Sequence, residues 1–204
     1  MSGMDEPKSL RFEHVRQERL SALNAPHTEP LTRFVEALRQ QKSEGYEIPH
    51  FDPFDGGVNA KALFLLEAPG PQAKGSGFIS RDNNDPTAKN IWTMSREVGL
   101  NRSDCILWNV CPWFVGAGLK IRPVKASEVR ESSDALRSLL GQLADLRCVA
   151  LVGRKAQLAR ATVKQARPDV QIVEMPHPSQ MFVNRKPENR ALVQDGFRQA
   201  ARLI

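Results

Sequence analysis

Three side chains that can do chemistry follow three separate apolar runs of the chain. They are Glu67, Asn109 and His177. A carboxylate can orient a water or stabilise a developing cation, an amide can pair with an edge that both donates and accepts, and an imidazole can donate to a developing oxyanion. We therefore predict that one composite site holds all three groups.

Each of these residues also has a purely structural interpretation. A Glu at the end of a strand more often caps a loop, and a lone Asn in a buried strand usually satisfies backbone groups. A His between two prolines, as in the Pro-His-Pro of residues 176–178, is usually structural as well. Because all three follow apolar runs in the same way, the joint pattern favours a functional site.

The apolar runs predict the strands that position these side chains. Strands are expected at 62–66, 105–110, 148–152 and 170–175. Short apolar strands that alternate with amphipathic helices favour parallel pairing, with helices over both faces. The predicted fold class is α/β, a three-layer α/β/α sandwich around a central, mainly parallel four-stranded sheet. Ligands bind outside the carboxyl ends of such strands, where Gly153 falls beside the three polar side chains.

Caps and periodicity predict the helices. Asp85 before Pro86 has the residue types of an N-cap and a first-turn proline. Ser127 is expected to cap a long helix that carries a leucine stripe. The last helix is expected to start near Pro187 and to present four residues inward, namely Leu192, Val193, Phe197 and Ala200.

Length and charge limit the kind of protein. The 204 residues suit one domain over 26–204, preceded by a polar arm or a loosely docked helix over 1–25. The 29 Lys and Arg against 23 Asp and Glu, a net charge of +6, favour an anionic partner. Charges interrupt residues 1–20, so no secretory signal is expected, and no run reaches the roughly 18 apolar residues of a membrane helix. We expect a cytoplasmic monomer that does not bind a membrane.

The cysteines and the acidic loop predict no bound metal. Cys105, Cys111 and Cys148 have no CxxC spacing, which disfavours a disulfide framework, a zinc finger and a cysteine-held iron–sulfur cluster. Asp52 and Asp55 lie in a turn-rich loop, where Asx turns are a better interpretation than a metal pair. We expect neither a metal nor another cofactor.

Short motifs around these residues resemble the uracil-DNA glycosylase superfamily. Residues 67–70, Glu-Ala-Pro-Gly, and 177–179, His-Pro-Ser, are similar to two motifs of its thermostable, iron–sulfur branch. The segment 77–81, Gly-Phe-Ile-Ser-Arg, and the pair Asn109-Val110 are similar to segments between those motifs. The chain differs from the family in having Leu66 in place of a glycine, Ala68 where the best-known uracil enzymes have Asp, and no cluster cysteines.

The resemblance implies an enzyme and assigns roles. The implied enzyme is a monofunctional DNA glycosylase that hydrolyses the N-glycosidic bond of a flipped-out uracil in base excision repair. It implies that Glu67, Asn109 and His177 are catalytic and that Phe78 stacks on the base. Base contacts are implied for Asn109, Ala68, Pro69 and Gly70, and DNA contacts for Ser179, Met181, Phe182, Arg185 and Lys186.

Other interpretations remain open. The same fold could act on hypoxanthine, xanthine or a modified cytosine, because specificity lies in the loops. Ala68 leaves open a weakly active or inactive DNA-binding module, and a nucleotide-binding protein would leave the basic charge unexplained. The pair Met181-Phe182 is either a wedge into DNA or packing against the last helix. The basic residues of the loop 112–125 are either phosphate contacts or a solvated face.

Overall fold

A computed structural model describes residues 5–42 and 45–204, and its centre is a parallel sheet. In chain order the strands are β1 (His50–Phe51), β2 (Ala62–Leu66), β3 (Phe78–Ile79), β4 (Cys105–Asn109), β5 (Gly116–Ala117), β6 (Lys120–Ile121), β7 (Cys148–Val152) and β8 (Gln171–Met175). The central sheet has the order β4-β2-β7-β8, and all of its neighbours are parallel. Strands β4 and β7 are buried along their whole length, as their apolar sequences require.

Ten α-helices are found among the described residues, and they cover both faces of the sheet. They are α1 (Glu13–Ser21), α2 (Glu29–Gln41), α3 (Pro71–Ser76), α4 (Pro86–Glu97), α5 (Ala126–Glu131), α6 (Ser133–Gln142), α7 (Arg154–Gln157), α8 (Arg160–Ala166), α9 (Gln180–Val183) and α10 (Pro187–Ala201). Helices α4, α9 and α10 pack together, and α2, α6 and α8 form a second group. Phe64 of β2 contacts Phe197 of α10, whereas Trp108 of β4 contacts Phe34 of α2. The predicted α/β sandwich and its four-stranded sheet are confirmed.

Two helix predictions are wrong in detail. The long helix expected after Ser127 is two helices, α5 and α6, and Ser127 lies inside α5. The break falls at Ser132, whose hydroxyl donates to the carbonyl of Val110 and so ties the break to the end of β4. Leu192, expected to face inward, is 52% exposed, because the stripe of α10 that packs inward runs through Val193 and Phe197.

The N-terminal segment contains a helix that packs on the body of the protein. Within the described part of 1–25, helix α1 buries Val15 and Arg19. Leu10 and Val15 form a small apolar cluster with Phe78. The segment is therefore docked over residues 9–21, and the proposed division at residue 25 stays a prediction.

No helix in residues 5–42 or 45–204 combines the length and the apolar character that crossing a membrane requires.

Candidate active site

Strand order places a crevice at the carboxyl edge of the sheet. The chain goes from β2 to β4 on one side, and then returns past β2 to β7 on the other. The carboxyl ends of β2 and β7 therefore flank a topological switch point, the usual ligand site of open parallel sheets. Glu67 follows β2 directly, and Gly153 follows β7.

A cavity of about 610 Å³ opens at this edge. The three predicted catalytic side chains, Glu67, Asn109 and His177, all line it. The predicted base-contact residues Ala68, Pro69 and Gly70 line it as well. The structure thus brings together residues as much as 110 positions apart in the sequence, because each lies at or just beyond the carboxyl end of a strand in the same parallel sheet.

Glu67 is held from both sides by backbone donors. Its Oε1 accepts a 2.8 Å hydrogen bond from the N–H of Val124, and its carbonyl accepts one of 3.0 Å from the N–H of Cys111. Val124 belongs to the long loop between β4 and α5. That loop therefore fixes the direction of the carboxylate, which is the part of Glu67 that can orient a water.

Asn109 ends β4 and is 4% exposed. Its Nδ2 has no hydrogen-bond partner among the described residues, although the atom is buried. Leaving such a donor unpaired costs about 1–3 kcal/mol. The structural interpretation, in which this amide satisfies backbone groups, therefore does not explain Nδ2. Because Asn109 lines the cavity, a side-chain donor of this residue that lacks a partner suits a ligand that brings an acceptor.

His177 packs closely against Gly153. A Cβ at position 153 would crowd the Cβ of His177 at 3.1 Å, and the φ of +85° at Gly153 favours glycine by itself. Burial holds the pKa of His177 below its ordinary value of 6.5, and the charges of Glu67 and Asp85 act in the opposite direction. The neutral imidazole, which offers one N–H donor, is therefore the major form at neutral pH.

Two further residues of the cavity were not predicted to be there. Asp85 caps α4 by accepting from the N–H of Ala88 at 2.9 Å, and burial raises its pKa above the ordinary value. The cap was visible in the sequence, but the sequence carried no sign that the same carboxylate faces the cavity. Lys155, in the first turn of α7, also lines the cavity, and its position beside Gly153 was the only available signal.

Phe78 does not occupy the position that the family resemblance implied. Its side chain is fully buried against Leu10 and Val15 and does not line the cavity. Its neighbour Ile79 does, because successive side chains of a strand point to opposite sides. No Phe, Tyr or Trp is among the described residues that line the cavity. Stacking of Phe78 on a group in this cavity is therefore not supported by the structure.

Of the predicted DNA-contact residues, three are exposed and two are partly buried. Ser179 caps α9 by accepting from the N–H of Phe182 at 3.3 Å, and Phe182 packs partly on the core. Met181 lines the cavity and is 84% exposed. Arg185 and Lys186 are both exposed. Of the two apolar residues considered as a wedge, only Met181 projects into solvent.

The cysteines and acidic residues do not suggest a metal centre in the described part of the chain. No cluster of three or more His, Cys, Asp or Glu side chains there could hold a metal ion. Cys105 and Cys148 begin β4 and β7, at the opposite end of the sheet from the cavity. Asp52 makes the predicted Asx turn, since its Oδ1 accepts from the N–H of Phe54 at 3.0 Å.

A model of the uracil DNA glycosylase superfamily matches residues 53–200. The matched range contains the whole central sheet and every residue described in the cavity, and it leaves out α1, α2 and β1. None of the curated proteins compared with this chain matches it.

Proposed function

Because the chain belongs to the uracil DNA glycosylase superfamily, we propose that it hydrolyses the N-glycosidic bond of uracil in DNA as a monofunctional enzyme. Family membership supports a DNA glycosylase type of function, and our proposal adds that uracil is the base that the enzyme removes. The observation that carries it is the unpaired, buried Nδ2 of Asn109 in a cavity shared with Glu67 and His177. A pyrimidine with an acceptor at this point would satisfy that donor.

Asn109 can read the edge of uracil. A uracil flipped out of the duplex presents an oxygen acceptor at O4 and an N–H donor at N3, and an amide offers the complementary pair. Cytosine presents the reverse pattern at these two atoms, a donor at N4 and an acceptor at N3. Buried polar groups left unpaired by the wrong base give strong discrimination. Uracil is therefore favoured over cytosine at Asn109.

The other two side chains act on the bond that breaks. The electron pair of the bond between C1′ and N1 leaves with the uracil, so negative charge grows on the base and positive charge on the sugar. His177 donates its N–H to the pyrimidine O2 as that charge grows, a contribution that strengthens in the transition state. Glu67 stabilises the sugar cation and orients the water whose oxygen bonds to C1′, and the released proton goes to the carboxylate or to solvent. This hydrolysis transfers no electrons to an acceptor, so the proposal requires no redox cofactor.

A second candidate substrate is hypoxanthine in DNA. The cavity of about 610 Å³ corresponds to about twenty waters at roughly 30 Å³ each, which is more room than one pyrimidine ring requires. Its apolar lining includes Ile79 and Ile91, and no Phe, Tyr or Trp of the described residues narrows it. Hypoxanthine also presents an acceptor at O6 beside an N–H at N1, so Asn109 can read it in the same way.

The proposal is tested on end-labelled oligonucleotides that carry one altered base. Duplexes with a single uracil, hypoxanthine, xanthine or modified cytosine are incubated with the protein and then treated with alkali, which cuts the strand at any abasic site. Cutting at uracil that is slow but measurable in Glu67→Ala supports the proposal, and cutting at another base identifies that substrate instead. Tight binding with no cutting at any base would contradict the enzyme and leave the DNA-binding module.

A further inference from the structure

The long loop between β4 and α5 folds into a small hairpin whose tip is apolar. Gly116 pairs with Ile121 and Ala117 with Lys120, so only Gly118 and Leu119 form the turn. Gly118 has a φ of +57°, as the first central residue of such turns requires. Leu119 is 82% exposed. A leucine at the tip adds nothing to the core, and a hairpin of this size is marginal by itself.

The hairpin stands at the mouth of the cavity. Ile121 of the hairpin, Arg122 after it and Met181 of α9 all line the cavity. Among the described residues, Met181 and Leu119 are the two most exposed large apolar side chains. Both side chains therefore belong to elements that border the same cavity. Neither of them packs in the core, so packing does not explain why they are apolar.

The charge near the hairpin favours an anionic partner. Lys120 is exposed and Lys155 lines the cavity, and neither has an ion pair among the residues that the structure describes, whereas Arg122 is paired with Glu128. The sequence as a whole has a net charge of +6. Apolar tips flanked by basic side chains suit DNA, where phosphates are paired with lysine and an apolar wedge enters between bases.

We propose that the hairpin 116–121 is a second DNA-binding element and that Leu119 is a wedge that acts together with Met181. This inference rests on the proposed function, because it assumes that a nucleotide enters the cavity from a duplex. Flipping one nucleotide unstacks its two neighbours and costs a few kcal/mol. Leu119 from the hairpin and Met181 from α9 contact those neighbours and keep the gap from closing.

The wedge is tested by comparing duplex and single-stranded substrates. Leu119→Ala is expected to lower single-turnover excision from a duplex by about tenfold, as loss of an unstacking contact predicts, and to change excision from the same single strand by less than about twofold. Leu192→Ala is the matched control, because Leu192 is also exposed but lies on α10 and does not line the cavity. An equal loss on both substrates, or no loss on the duplex, would overturn the proposal.

A binding measurement separates this inference from the proposed function. A duplex carries a non-cleavable abasic analogue beside 2-aminopurine, whose fluorescence rises when it unstacks. The wild type and Leu192→Ala are expected to raise the fluorescence to the same level, and Leu119→Ala to raise it less. If the wild type excises no base yet gives this Leu119-dependent signal, the excision proposal fails and the wedge stands. If Leu119→Ala gives the full signal, the wedge is wrong and a protein partner becomes the explanation for the exposed tip.

Discussion

Arg19 of helix α1 donates from Nη2 to the Oδ2 of Asp82 at 2.8 Å, and both side chains are fully buried. Asp82 lies within the segment 79–85, most of whose residues line the cavity. Arg19 lies outside the range matched by the family model. A helix outside that range therefore anchors one wall of the site.

The anchor extends into a network of buried charges. Arg19 also pairs with Asp52 at 2.9 Å, and Arg102 pairs with Asp52, Asp55 and Asp82 at 2.6 to 2.7 Å. Buried ions remain favourable only while each keeps its partners. The network joins α1, the loop around residue 52 and the cavity wall, so we expect it to respond as a unit when one member is removed.

Replacing Arg19 tests this anchor. Arg19→Met keeps most of the volume but leaves two buried carboxylates short of a partner, which should lower the free energy of unfolding by about 3–5 kcal/mol. Arg33→Met removes an exposed helical pair with Glu29 and should cost no more than about 0.5 kcal/mol. Urea unfolding of both variants measures the difference. Similar small losses would show that α1 does not support the fold through this contact.

The raised pKa of Asp55 should make the folded protein less stable as pH rises. Burial raises the pKa of Asp55 from 3.8 to about 7, more than the charge of Arg102 lowers it. Between pH 3.8 and about 7, Asp55 is protonated in the folded protein but ionised in the unfolded chain. The free energy of unfolding therefore falls as pH rises through this range, by up to ~1.4 kcal/mol per pH unit. Asp55→Asn should lose this contribution. Urea midpoints from pH 4 to 8 should therefore fall less steeply for the variant, and parallel curves would refute the assignment.

Removing the unpaired donor at Asn109 should abolish most turnover. Asn109→Ala takes away the amide that reads the base, and loss of one preorganised polar group of this kind typically costs about 10²–10³ in rate. Affinity for an uncut duplex should change little, because backbone phosphates supply most of it. Asn101→Ala, on an exposed residue, is the control. A large loss of affinity with normal turnover on bound DNA would contradict the role.

The lowered pKa of His177 determines the pH dependence that we expect for excision. Burial holds the pKa of this imidazole below its ordinary value of 6.5, so the neutral form is the major form above that pH. Single-turnover excision should therefore stay nearly level from pH 7 to 8.5, whereas a cationic donor would lose about tenfold per unit once pH exceeds its pKa. His177→Ala should abolish most turnover, and His177→Gln, which keeps an N–H donor, should retain more. A steep fall in wild-type rate over this range would show that the cation is the donor.

The fold and most of the cavity were predictable because strands in this chain are continuous apolar runs, and parallel strands bring their following residues to one edge. These two rules were enough to predict that Glu67, Asn109 and His177 lie at one edge of the sheet. Phe78 lies outside the cavity because the two neighbouring side chains of the two-residue strand β3 point to opposite sides, and Leu10 and Val15 of the N-terminal segment supply the apolar contacts that bury Phe78. Asp85 shows most clearly what the sequence could not predict. Its carboxylate caps a helix and the residue also lines the cavity, but only the cap has a signal in the sequence.

The link between Glu67 and the backbone of Val124 gives the sharpest test of how the carboxylate is oriented. Val124→Pro removes the N–H that donates to Oε1, and a hydrogen bond to a charged group contributes about 1.5–3 kcal/mol. Excision should fall by about ten- to a hundredfold. Val124→Ala keeps the N–H and is the matched control for the lost side chain. In a Glu67→Ala background the proline should have little further effect, because the group it orients is gone. An undiminished effect there would mean that the loop acts on the site by another route.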